Sequence, residues 1–195
     1  MSLPSLGAPA RRRTVLGLAL LVAAVSAAPA TATDGDGRTA GKAKPTVVLV
    51  HGAFADASGW SEVAMRLQHR GHEVVAPANP LRGLGNDSSY TASVLKSIKG
   101  PIVLVGHSYG GAVISSAAAG NPNVKALVAE AAAWKTIPSW FLVARQDKAT
   151  APDLERFEAE RAGSRTVEID SSHVAMMSHP ETVVGLIDEA AETTC

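Results

Sequence analysis

The residues best suited to chemistry in this 195-residue sequence are gathered in Gly106-His107-Ser108-Tyr109-Gly110-Gly111. The serine stands in a G-x-S-x-G pattern that follows the apolar run 101–105 and opens the small-residue stretch 112–119, so a strand, a sharp turn and a helix are expected in that order. This is the context of a nucleophile elbow. Glycines remove Cβ atoms where strand and helix backbones crowd, and the strained serine projects its hydroxyl above the sheet. A serine hydroxyl is a weak nucleophile until an imidazole accepts its proton, and the imidazole needs a carboxylate to fix its tautomer and stabilise its cation.

His173 fits the base, because it follows the β-branched run 166–169 in the loop Asp170-Ser171-Ser172-His173, ahead of the last helix. The other histidines fit less well: His69 and His72 flank a helix end, His179 precedes Pro180, and His107 lies inside the elbow. Asp147 fits the acid. It lies just past the run 140–144, at the carboxyl edge where open α/β sheets gather ligands, and it gives the chain order Ser, Asp, His. Glu130 and Asp170 are the competing acids. Acyl transfer also needs donors aimed at the developing oxyanion, and the N–H of Tyr109, at the start of the helix after Ser108, supplies one.

These groups need a scaffold. Short apolar runs without alternation, marks of strands buried on both faces, occur at 46–50, 73–75, 102–105, 124–129, 140–144 and 166–169. Helix-period segments lie between and after them at 59–70, 88–99, 108–120, 153–162 and 180–190. Alternation of this kind implies an α/β fold, a three-layer α/β/α sandwich around a mostly parallel sheet of about six strands. Several features have plain structural readings. His69-x-x-His72 is a solvated helix end without zinc-type partners. Met176 and Met177 are pocket wall or core, and Gly83-Leu84-Gly85-Asn86 is a flexible connection near the pocket mouth.

Residues 1–32 read as a secretory signal peptide: Arg11-Arg12-Arg13, an apolar stretch 15–28, then small residues with A-x-A options. Arg12-Arg13 also suits the twin-arginine type. Residues 33–45 read as a flexible linker and 46–195 as the folded domain. Cleavage after residue 32 leaves fifteen basic and eighteen acidic residues, a net charge of −3, which gives no basic surface for nucleic acid. Cys195 is the only cysteine, so no internal disulfide can form. The expected protein is secreted, with no membrane association after cleavage, no metal and no cofactor.

Val48-Leu49-Val50-His51-Gly52-Ala53-Phe54, the elbow at 106–111 and the contexts of Asp147 and His173 resemble the α/β-hydrolase superfamily. Within it they are most similar to bacterial relatives of the plant methylesterases and hydroxynitrile lyases. The resemblance covers about 46–190. It implies a second oxyanion donor, the backbone N–H of Ala53 with Phe54 as the one-residue alternative, and a shaping role for His51. It also implies a minimal core, because only ten residues separate Ala129 from Trp140 where relatives insert a helical cap. Trp134 and Trp140 are then expected to line an open groove or to cover apolar surface. Similar lyases carry a threonine after the loop histidine and a lysine after the catalytic histidine. This chain has Gly52 and Val174 there, which favours hydrolysis. The reading is a secreted serine hydrolase that cleaves small-molecule carboxylic esters through an acyl-enzyme on Ser108. The alternatives are a non-catalytic or weakly active binding protein of the same fold, and a lyase-like or haloperoxidase-like side activity.

Overall fold

The computed structural model describes residues 44–129 and 136–195. The expected leader at 1–32, nearly all of the expected linker, Glu130 and Trp134 lie outside the described residues.

Six strands form one parallel sheet. They are β1 (Thr46–Val50), β2 (Val74–Val75), β3 (Ile102–Gly106), β4 (Val124–Ala129), β5 (Ser139–Ala144) and β6 (Arg165–Ile169), in the spatial order β2-β1-β3-β4-β5-β6. The order reverses between β1 and β3, the strands whose carboxyl ends deliver the His51 loop and the Ser108 elbow. Ligands of open α/β sheets bind at such a reversal, where connections diverge to opposite faces and leave a crevice.

Strand alternation sorts the core into two sides. Val47, Leu49, Val103, Val105, Val128, Trp140 and Leu142 pack with α1 (Ser61–His69), α5 (Ala175–Ser178) and α6 (Pro180–Thr194). Val48, Val50, Ile102, Leu104 and Leu127 point the other way, toward α2 (Leu84–Ser97) and α3 (Tyr109–Ala117). Phe141 and Val143 meet Ala159 of α4 (Pro152–Ala162). Period-two side-chain geometry thus turns wholly apolar strands into two cores, one under each helical layer.

Some expectations change. Residues 83–86 are not a loose connection: Gly83 takes φ 103° and Leu84 begins α2. The first turn is held in place by Asp87, whose carboxylate accepts the Arg82 N–H at 2.9 Å and the Tyr109 hydroxyl of α3 at 2.7 Å, despite Gly85. His72 is buried, bonded to Asp188 at 2.9 Å and set 3.3 Å from the Pro45 carbonyl, while His69 is exposed. Trp140 lies in the core with its Nε1–H donating to Glu189, and lines no groove. Met176 is core, whereas Met177 is exposed. β6 is mostly exposed because it is an edge with little cover. Nine residues, 130–138, join β4 to β5, too few for a helical cap. Among the described residues no helix is long and apolar enough to cross a membrane.

Candidate active site

The elbow at the end of β3 is forced by close packing. Ser108 has φ 52° and ψ −126°, a backbone conformation that L-residues rarely hold without support from their surroundings. A Cβ at Gly106 would lie 2.6 Å from the Gly110 carbonyl oxygen, and one at Gly110 would lie 2.4 Å from the Val50 oxygen. Both glycines are therefore steric requirements for bringing β3 and α3 this close. Gly110 N–H donates to the His107 carbonyl at 2.8 Å and Gly111 N–H to that of Ser108 at 2.7 Å, which closes the turn into α3.

The loop after β1 lies against the elbow. A Cβ on Gly52 would come within 3.0 Å of Ser108 Cβ, so only glycine lets this backbone approach the serine. His51 is committed on both ring nitrogens. Its Nε2 accepts the Asn79 N–H at 2.8 Å, so its Nδ1 carries the proton donated to the Gly52 carbonyl at 2.9 Å. Asn79 returns a bond from its side-chain amide to the His51 carbonyl at 3.0 Å. Ala53 and Phe54 are exposed at the end of this loop, and Phe54 has φ 58°. The N–H groups of Ala53 and Tyr109 make no backbone hydrogen bond among the described residues.

Asp147 and His173 meet: His173 Nδ1–H donates to Asp147 Oδ2 at 2.6 Å. Asp147 is buried in the turn after β5, where its Oδ1 also accepts the N–H groups of Ala149 at 2.6 Å and Thr150 at 3.0 Å. Burial acts to raise its pKa. The bonds from His173, Thr150 and Ala149, with help from the neighbouring Glu155 carboxyl, prevail and hold it below the usual value. Asp170 instead pairs with Arg145 at the surface and does not face His173 Nδ1.

Ser108 Oγ is not hydrogen-bonded to His173 Nε2 in this structure. The two are linked through the elbow residue His107, whose Nε2–H donates to the His173 carbonyl at 2.8 Å and whose ring centroid lies 4.8 Å from that of His173. Burial pushes the His107 imidazole down to about 4, against the raising effect of the His173 carbonyl. It is therefore a neutral strut at ordinary pH. Read as a sequence, His107 gave no sign of this, since its partner lies 66 positions away.

Glu155 is the other residue sequence reasoning missed. It is fully buried in α4 beside Asp147. The one available signal is its placement four positions before the buried Ala159, on the inward face of a helix whose Leu154 and Phe157 are exposed. Ligand atoms of Asp147, Glu155 and His173 lie within 4.8 Å of one another. In that set His173 Nδ1 and Asp147 already bond each other, and Glu155 accepts the Ala144 N–H.

Residues 47–131 match the sequence model of the alpha/beta hydrolase family. No curated protein matches the chain. Among solved structures, a pyrethroid hydrolase from Sphingobium faniae JZ-2 superposes with a TM-score of 0.67 at 18% identity, covering 76% of this chain and 97% of that one. An extracellular alpha/beta-hydrolase from a Paenibacillus species, described as sharing structural and functional homology with Tobacco Salicylic Acid Binding Protein 2, gives 0.65 at 18% identity over 75% and 99%. Polyneuridine aldehyde esterase gives 0.68 at 16% identity over 75% and 98%. At these identities the likeness establishes the fold.

Proposed function

We propose that this chain, an α/β hydrolase by fold and by the family match over residues 47–131, is a secreted serine hydrolase that cleaves carboxylic esters. The observation that carries the reading is the 2.6 Å bond from His173 to the buried Asp147, next to a serine held at positive φ on an elbow. Neighbours described as an esterase and as hydrolases support the class. The basic and apolar leader and the extracellular Paenibacillus neighbour support secretion.

In this scheme Ser108 Oγ attacks the ester carbonyl carbon as its proton passes to His173 Nε2. Asp147 holds the Nδ1–H tautomer beforehand and stabilises the imidazolium that forms. The carbonyl oxygen becomes an oxyanion facing the N–H groups of Tyr109 and Ala53, and the former lies at the positive end of α3. Collapse breaks the C–O bond as His173 protonates the leaving alcohol. A water then attacks the acyl-enzyme with His173 again as base, releasing the acid and restoring Ser108.

Ser108→Ala is expected to abolish hydrolysis of a short-chain aryl ester and labelling by a fluorophosphonate. A folded wild-type protein that neither turns over nor labels overturns the enzyme reading. Ligand binding unchanged by Ser108→Ala, with no acyl-enzyme in the mass spectrum, points instead to a binding protein.

A further inference from the structure

The hydrolytic scheme leaves one buried acid beside the site without a part. Glu155 stands in the first turn of α4 with its side chain removed from solvent. Its Oε2 accepts the Ala144 N–H, at the end of β5, at 3.0 Å. Its Oε1 is buried and makes no hydrogen bond. An oxygen of Glu155, an oxygen of Asp147 and a ring nitrogen of His173 lie within 4.8 Å of one another. Two buried carboxyls this close do not both ionise, because each would carry an uncompensated charge next to its like. Asp147 has the compensation: two N–H donors and His173. Glu155 has one N–H, and an oxygen left over for a proton.

We infer that Glu155 is a positioning residue for the Asp147–His173 pair, a neutral carboxylic acid tied to the end of β5 that braces the Asp147 carboxylate from inside α4. Its part in turnover rests on the ester-hydrolase reading; its protonation and its hold on Asp147 do not. Oε2 fixes α4 to the strand from which Asp147 departs, and a proton on the Glu155 carboxyl removes the repulsion between two neighbouring carboxylates. The charge of Asp147 then stays directed at His173.

The charged and titratable groups facing Glu155 are Asp147 and His173 from the adjoining loops and Glu158 from its own helix. Burial pushes the Glu155 carboxyl up to about 8; the Ala144 N–H opposes this, and Asp147 and Glu158 add to it. A glutamate in the unfolded chain titrates near 4.5. Between those values the folded protein holds a proton that the unfolded chain has released. The stability contributed by this group therefore falls as pH rises through that window and levels off above it. A glutamine has no such dependence.

Two measurements without substrate test the inference, and a third uses turnover. In thermal unfolding, the Tm of Glu155→Gln relative to wild type is expected to climb by several degrees between about pH 5 and about pH 8 and then to level. A difference that stays flat with pH overturns the neutral acid. In NMR of the substrate-free protein, the downfield His173 Nδ1 proton should persist in Glu155→Gln and disappear in Glu155→Leu, which cannot bond Ala144 or Asp147. At neutral pH, kcat should stay within about threefold in Glu155→Gln and drop about tenfold or more in Glu155→Leu with KM unchanged. Retention of both the resonance and kcat in Glu155→Leu overturns the positioning role. If that variant does not fold, Glu155→Gln decides: loss of its Nδ1 resonance overturns the role, and retention together with the pH-dependent Tm upholds it. A wild type that passes the first two measurements but turns over no ester refutes the hydrolase reading and leaves this one standing.

Discussion

The floor of the site and its mouth are built on opposite terms. In the floor, His51, His107, Asp147 and Glu155 are all buried, and each is tied to backbone groups of neighbouring segments. At the mouth, the segments that follow β1, β2 and β6 expose Phe54, Leu81, Val174 and Met177, and only nine residues join β4 to β5. Buried polar groups must be satisfied, so the floor permits one arrangement. Apolar side chains in water carry no such demand. The contrast teaches that, in the proposed hydrolase, the chemistry would be set at the sheet edge and substrate preference by whatever covers a few exposed side chains.

The largest effect should come from the floor. Asp147→Asn keeps the side-chain shape but removes the charge and favours the wrong imidazole tautomer, and kcat on a short ester should fall by about 10⁴-fold. A loss smaller than about tenfold would break the contrast, since the most heavily bonded residue would then matter little. Next comes Gly110→Ala, whose Cβ meets the Val50 oxygen at 2.4 Å. Overpacking of this kind costs about 1–3 kcal/mol, read from urea unfolding. Gly185→Ala in α6, where a Cβ meets nothing within 4 Å, should instead gain about 0.5–1 kcal/mol. Equal effects at the two glycines would mean that the elbow is not a packed unit. The smallest effect belongs to the mouth. Phe54→Asn, which tolerates the same positive φ, should leave Tm and kcat on a water-soluble ester unchanged while raising KM for a long-chain or aryl ester about two- to tenfold. An unchanged KM across the ester series would remove Phe54 from substrate contact.

How far these regions could be read in advance follows from the range of the forces involved. The elbow was legible because Gly106 answers a crowding against Gly110 and Gly111 within five residues, although Gly110 itself is pressed by the distant Val50. Strands β1, β3, β4 and β5 were legible because burial on both faces demands largely apolar runs, interrupted in β4 only by the exposed Lys125. The start of α2 was not, since Asp87 in its first turn is tethered to Tyr109, 22 positions away. His72 read as a solvated helix end because its partner, Asp188, lies 116 positions on. Glu155 looked like one more polar residue on a polar helix, and only the third dimension sets it beside Asp147.

The exposed edge at β6 has a consequence for how copies of the molecule meet. An unpaired strand edge offers its N–H and C=O groups to any other chain, which makes it a template for aggregation. Here Arg165, Glu168 and Asp170 line that edge, with Arg156 gripping Glu168 through two bonds of 2.9 Å and Arg145 holding Asp170 at 2.9 Å. A second β6 laid against the first would have to strip water from these ion pairs or pull them apart. Where the sheet has no layer to shield it, hydrated charged side chains protect it instead.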